Sequence, residues 1–312
     1  MFATPASACA CGGVVSSDPG AFVADETALV SWDGKHTSIL LRLGLQSAAT
    51  DAALVFPTPA PAQVSAGSNA TFDALERAAA PQVVTERRWF STEDMESAGS
   101  GPGAPLVLDR VELGPIEATT LQGGDLPGLQ KWLSDNDYEL APKVSAALAP
   151  YVAERWSFVA IRLTGSEKLD GALDPVRMDF DSDRFVYPMR MSAAAEKPQR
   201  ARIYTLSDRR VELRDTKNLV VRTTFAGPAS VDGYAGTYLT ATSVFVGQPS
   251  TIDADFEFVS ATSSSDYRET VYRTEDVRIL GLMAGPVLVF AGAVLALGAV
   301  VFGLILLVRS RR

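Results

Sequence analysis

Histidine and cysteine are nearly missing from this sequence. Its 312 residues include one histidine, His36, and two cysteines, Cys9 and Cys11. So few ligands cannot build a three-histidine, four-cysteine or two-plus-two zinc site from separate points of a fold. A Ser-His-Asp system would have to use His36 as its base. His36 falls just after a hairpin turn, among Lys35, Thr37 and Ser38, where an exposed polar residue is expected. No Gly-x-Ser-x-Gly elbow occurs either. Positive charge is also short, with 28 Lys+Arg against 37 Asp+Glu and a net charge of −9. Phosphate contacts need clustered Lys and Arg that release counterions, so nucleic acid is excluded as a partner. The hydrophobic fraction of 47% and charged fraction of 21% nevertheless belong to a folded chain.

Charge disappears altogether across residues 279–308, a run of Leu, Val, Ala, Gly and Phe. At ~1.5 Å per residue that run exceeds the ~30 Å hydrocarbon core of a bilayer, so it reads as a transmembrane helix in contact with lipid. Pro286 is a natural early helical position. Arg309, Arg311 and Arg312 follow at once and read as a basic cytoplasmic tail at 309–312. Arg268, Arg273 and Arg278 level the basic tally on the other side, so the closeness of the tail arginines to the span decides the orientation. Gly281, Gly285, Gly292, Ala296, Ala299 and Gly303 fall on one helical face. Such a stripe of small residues lets two helices approach closely, which gives an expectation of homodimerisation through the span.

Residues 1–20 form an N-terminal segment. Ala6-Ser7-Ala8 before Cys9 resembles the small-residue end of a signal peptide, although no basic and apolar segment precedes it. Two readings stand: a leader lost through a wrong start codon or trimming, or a chance match. Cys9-Ala10-Cys11 is too tight for an ordinary disulfide, and two ligands alone make a weak metal site.

Residues 21–278 read mostly as strands. Those at 27–32 and 37–45 flank Asp33-Gly34, a signal for a type I′ hairpin. Ile39, Leu41, Leu43 and Leu45 alternate with Leu40, Arg42 and Gly44, as in a half-buried strand. A strand at 52–56 stops at Pro57, and a short helix carrying Phe72 and Leu75 follows, capped by Asn69 or Thr71. Asp125 caps a second helix and Pro142 opens a third. Further strands are expected at 83–90, 156–163, 175–180, 184–191, 201–206, 219–225, 237–246 and 252–259. In the last, Asp253, Asp255 and Glu257 form a solvent face. The fold class is thus α+β: a β-rich exterior of sandwich-like sheets with a short helical insert, plus one C-terminal transmembrane helix. Leu54-Val55-Phe56-Pro57 and Phe185-Val186-Tyr187-Pro188 each follow an alternating strand. A true duplication would give two halves, 21–122 and 155–278, joined by the helices at 125–152.

Asp179, Asp181 and Asp183 open like a calcium loop. Arg184 stands where that loop needs glycine and Arg190 where it needs glutamate, so only a calcium site of another kind could use the three carboxylates. Gly99-Ser100-Gly101-Pro102-Gly103 is similar to a phosphate loop, but Pro102 and Pro105 remove donors and a strand follows. Asn69-Ala70-Thr71 fits a glycosylation sequon and counts here only as a cap. No cofactor motif is found.

Several runs together resemble a known family. They are Cys11-Gly12-Gly13, Leu54-Val55-Phe56-Pro57-Thr58-Pro59, Phe72-Asp73-Ala74-Leu75 and Ala80-Pro81-Gln82. Asn136-Asp137-Tyr138, Trp156-Ser157-Phe158-Val159-Ala160, Phe185-Val186-Tyr187-Pro188-Met189-Arg190 and Tyr204-Thr205-Leu206-Ser207-Asp208-Arg209-Arg210 continue the likeness. In this order they resemble the bacterial domain of unknown function 2330, over roughly residues 9–215. The resemblance implies an exported envelope protein, with a signal peptide directly before the cysteine, and supplies no activity. Asp137 departs from it, since the family tends to have glycine there.

These observations lead to a membrane-anchored extracytoplasmic protein that binds an envelope protein or polymer, or serves as a non-enzymatic structural module. The competing expectations are an exported carboxylate-dependent hydrolase, calcium-assisted through Asp179, Asp181 and Asp183, and a cytosolic tail-anchored protein.

Overall fold

The computed structural model describes residues 7–8, 13–18, 20–90, 110–111 and 117–310. Ala6, Cys9, Cys11, the loop at 99–103, Arg311 and Arg312 lie outside the described residues. Contacts divide the chain into two units, Met1–Ala80 with Val107–Glu269 and Pro81–Leu106 with Thr270–Arg312.

The larger unit begins with β1 (Ser7–Ala8), β2 (Gly13–Ser16), β3 (Phe22–Trp32), β4 (His36–Gln46), β5 (Asp51–Thr58), β6 (Gln63–Ala66) and α1 (Asn69–Ala78). β7 (Gln82–Arg88) belongs to the smaller unit. The larger unit resumes with β8 (Arg110–Val111), β9 (Glu117–Leu121), α2 (Leu126–Asp135), α3 (Pro142–Ala153) and β10 (Ser157–Thr164). Then come β11 (Gly171–Leu173), β12 (Val176–Asp181), β13 (Val186–Tyr187) and a 3-10 turn at Arg190–Ala194. It ends with β14 (Gln199–Ser207), β15 (Val211–Leu213), β16 (Val220–Pro228), β17 (Tyr238–Val246), β18 (Phe256–Ser260) and β19 (Tyr267–Arg268). β20 (Thr270–Asp276), β21 (Arg278–Ile279), β22 (Leu282–Met283) and α4 (Ala284–Ser310) complete the smaller unit.

Two large sheets organise the larger unit. One has the order β1-β2-β5-β10-β9. The other runs β19-β16-β17-β14-β3-β4-β11-β8, with β12 also on β4 and β6 on β12. A small third sheet is β13-β18-β15. Strands are two-sided, and here both faces are used. Ile39, Leu41, Leu54, Phe56, Val159 and Ile161 fill the core between the sheets. Val55, Phe158 and Ala160 face the other way, against Leu129, Leu133, Leu148 and Tyr151 of α2 and α3. Leu29, Leu40, Tyr204 and Leu239 pack on Phe72 and Leu75 of α1. The β-rich α+β class therefore holds, but β4 is covered on both faces rather than half-buried. Leu40 is buried, and Arg42 lies 4.6 Å above the Phe72 ring while pairing with Glu76 at 2.7 Å.

Strands from 21–122 and 155–278 share sheets, since β3 runs parallel to β14 and β5 pairs with β10. The two aromatic-proline runs occupy unlike positions. β5 is paired on both edges inside a sheet, whereas Val186 and Tyr187 form an edge.

Local sequence explains most boundaries. The β3–β4 turn has a positive φ at Gly34 alone, and Asp33 N–H bonds to the His36 carbonyl at 3.2 Å. Glycine is therefore the first central residue of a Gly34-Lys35 loop, as in a type II′ turn, one residue later than a type I′ turn at Asp33-Gly34. Ser68, not Asn69 or Thr71, caps α1 through its side chain. α2 and α3 end alike, with Asp137 (φ 63) and Arg155 (φ 59) in the left-handed region. Tyr138 N–H then bonds to the Leu133 carbonyl and Trp156 N–H to the Tyr151 carbonyl, both at 2.9 Å. These are Schellman closures, and the left-handed position explains why glycine would suit residue 137.

Two expected strands are shorter than the sequence suggests. Residues 184–191 give only β13 before the 3-10 turn, and 252–259 give only β18 after a turn at Pro249–Thr251. Asp255 is consequently not on a solvent face; its side chain is 9% exposed.

In the smaller unit β7 and β20 form a parallel two-stranded ribbon, and β21 and β22 a hairpin. α4 starts at Ala284, so residues 279–283 lie in or beside that hairpin rather than in the helix.

Candidate functional site

The antiparallel pairing of β4 with β12 sets Ser38 opposite Asp179 and His36 opposite Asp181. Because side chains two apart on a strand share a face, these four and Arg177 make one polar ladder. His36 Nδ1 lies 2.7 Å from Asp181 Oδ1, with both side chains largely in solvent. Ser38 donates its hydroxyl hydrogen to Asp179 Oδ1 at 2.5 Å. Arg177 grips the same carboxylate through Nε at 2.8 Å and Nη2 at 2.9 Å, donates to Ser38 Oγ at 3.2 Å, and stacks 4.4 Å over Tyr234. Burial works to raise the Asp179 carboxyl, but bonds from Arg177 and Ser38 outweigh it and hold it below the usual carboxylate range. Burial likewise pushes the Tyr234 phenol up.

This ladder places two of the three aspartates singled out in the sequence and gives them other partners. Asp179 is neutralised by Arg177 and Asp181 faces His36, while exposed Asp183 lies beyond the strand end. Among the described residues no three His, Cys, Asp or Glu side chains come together as a metal ion requires. Nor do Ser38 and His36 form a nucleophile pair, since each engages a different carboxylate.

A second cluster escaped the sequence reading. Arg190 donates Nε to Asp255 Oδ2 at 2.8 Å and grips Glu154 through Nη1 and Nη2. Its guanidinium lies 4.1 Å over Tyr151 and 5.5 Å over Trp156. Asp255 Oδ1 accepts from Tyr151 at 2.5 Å, Met189 N–H at 2.7 Å and Arg190 N–H at 3.1 Å. Burial is the main cause that pushes the Tyr151 phenol well up, and the Asp255 charge adds to it. Arg190 is held ever more firmly as a cation by Glu154 and Asp255 against the opposing effect of burial. Every strong group here is engaged by another, so the cluster ties α3, the 3-10 turn and the approach to β18 together. Its one sequence signal was Arg190 at the end of the Phe185–Arg190 run.

In the smaller unit, Ala284–Leu307 is long and apolar enough to cross a membrane; its first two residues, Ala284 and Gly285, are buried, and its large apolar side chains from Leu288 onward are exposed. The small residues of its stripe separate into two groups. Gly281 is in the β21–β22 turn at φ 84, and Gly285 lies against Trp89 and Phe90. Gly292, Ala296, Ala299 and Gly303 are on the helix, and Gly292 and Gly303 have open space around them.

The chain belongs to the family described as an uncharacterized protein conserved in bacteria (DUF2330), which matches residues 5–259. No curated protein matches it. Among solved structures, the crystal structure of baculovirus P35 aligns over 78% of this chain and 98% of its own, at 9% identity and a TM-score of 0.39. A likeness that distant carries no argument about activity.

Proposed function

We propose that this protein is a single-pass protein of the bacterial cell membrane. Its β-rich unit lies outside the cytoplasm, where it acts as a binding or structural module of the envelope, and the C-terminus is cytoplasmic. The observation that carries the reading is α4, whose apolar stretch Ala284–Leu307 exposes its large apolar side chains from Leu288 onward. Unburied apolar surface on that scale is stable only against lipid or another apolar surface. The commitments of the polar groups favour a module over a hydrolase. Ser38, Asp179 and Arg177 saturate one another, as do Arg190, Asp255 and Tyr151.

Protease shaving of intact cells tests this, with an epitope tag added after Arg312. Digestion of the β-rich unit while the tag survives on a membrane-embedded stub is the expected result. Protection of that unit until the cells are lysed would place it in the cytoplasm and overturn the proposal.

A further inference from the structure

The start of α4 is not a bare helix end. Gly285 N–H, one of the amides that a helix leaves without an internal partner, donates to the Trp89 carbonyl at 2.7 Å. Ala284 N–H donates to the Val277 carbonyl at 2.8 Å, and Val277 N–H to the Arg88 carbonyl at 2.9 Å. The end of β7 is thereby fastened to the first helical turn from nearly two hundred residues away in sequence. The approach requires glycine, because a Cβ at residue 285 would stand 2.3 Å from the Trp89 oxygen and 2.6 Å from the Phe90 ring.

This fastening fixes where three large apolar side chains stand. Trp89 is 44% exposed and Phe90 54% exposed, at the level of Gly285. Leu280 is 97% exposed at the tip of the β21–β22 hairpin, whose second strand runs directly into α4. With a strand rise of ~3.3 Å per residue, that tip lies within ~10 Å of the helix start. Leu280 also holds a φ of 52, a conformation that a branched apolar residue seldom adopts, and Gly281 follows at φ 84. A two-residue turn with both φ values positive ordinarily takes Asn-Gly or Asp-Gly. Arg88, next to Trp89 in sequence, and Arg278, two residues before Leu280, both pair with Asp276.

We infer that Trp89, Phe90 and Leu280 form a second contact with the bilayer that α4 crosses, seated at the boundary between headgroups and acyl chains. The inference rests on the reading of α4 as a membrane span. Its occupant follows from continuity: if the apolar helix begins at Ala284, the groups bonded to its first turn are held at interfacial depth. Trp and other aromatic residues are favoured there, and neighbouring arginines can reach the headgroups. The contact would fix the depth of α4 and restrict its tilt, which a lone helix of this length leaves free.

The test is tryptophan quenching in the full-length protein, reconstituted in phosphatidylcholine vesicles. One lipid is brominated near the headgroup end of its chains and another near the chain ends. The difference between the wild-type protein and Trp89→Phe isolates the Trp89 emission from that of the other tryptophans. The expected result is a loss of that emission with the shallow quencher, larger than with the deep one. Leu280→Trp in the Trp89→Phe background should behave alike. Leu295→Trp in the same background, at mid-helix, should be quenched most by the deep lipid. Quenching of Leu295→Trp without quenching of Trp89 overturns the interfacial contact and leaves the span intact, because protein rather than lipid then covers Trp89. No quenching at either position removes the span itself and the inference with it.

Discussion

Removing the carboxylate of Asp255 should destabilise the larger unit more than any other single change among its polar groups. Asp255→Ala leaves Tyr151 O–H, the Met189 backbone amide and Arg190 Nε without their acceptor, while the Arg190 backbone amide keeps the Tyr151 hydroxyl oxygen at 3.1 Å. A neutral bond of this kind contributes ~1 kcal/mol net and a charged one ~1.5–3, while stripping a buried ion of its partner costs ~3–5. Glu154 still holds Arg190, and side-chain exposures of 12% for Arg190 and 9% for Asp255 admit some water, so the net loss should be about 3 kcal/mol. The assay is urea unfolding of the full-length protein in micelles, followed by tryptophan emission. Trp156 reports directly, being buried 4.9 Å from the Tyr151 ring. With a urea slope of ~2–3 kcal/mol/M, the midpoint should fall by about 1 M. Tyr151→Phe, which removes one donor from the same carboxylate, should cost only ~1 kcal/mol. Combining Asp255→Ala with Arg190→Met should cost less than the two singly, because the Arg190–Asp255 contact can be lost only once and no buried guanidinium is left short of its acceptor. A loss below about 1 kcal/mol for Asp255→Ala, or strict additivity in the cycle, would refute the claim that this cluster is a structural tie.

Asp137→Gly and Arg155→Gly should each leave stability unchanged or raise it by up to ~1 kcal/mol, since both residues close helices in the left-handed region; thermal unfolding checks this, and a clear loss would show that the side chains matter. Asp18, Asp33, Asp179, Glu154 and Asp276 all have carboxyls held below their ordinary values by hydrogen bonds. A depressed folded pKa gives stability that is present above the unfolded value and lost as pH falls through the folded one. Urea midpoints should therefore drop below about pH 4, and Arg177→Met should flatten part of that drop by releasing Asp179. Gly285→Val should change the emission of Trp89 by displacing it from the first turn of α4, whereas Gly292→Val, with open space around it, should leave that emission as it is.

How much was legible in the residues depends on how far the causes reach along the chain. Asp125 and Pro142 announce the starts of α2 and α3 because a cap acts within one helical turn. The apolar run of α4 is likewise a local property. His36 facing Asp181 could not be read, because a register between strands nearly 150 residues apart depends on the whole sheet. Alternation assigns Asp255 to solvent, which presumes a regular strand. Residues 252–255 leave the turn at Pro249–Thr251 as irregular chain and β18 begins only at Phe256, so the carboxylate stands where Tyr151 and Arg190 meet it.

Taken alone, the sequence determined the β-rich class, the helix signals, the family and an apolar span, because composition, caps and periodicity act over a few residues. Tertiary structure decided which polar groups meet. It set Asp179 against Arg177 and Asp181 against His36, covered β4 on both faces, and bound the end of β7 to the first turn of α4. Such juxtapositions arise from packing between distant segments, and no short-range pattern encodes them.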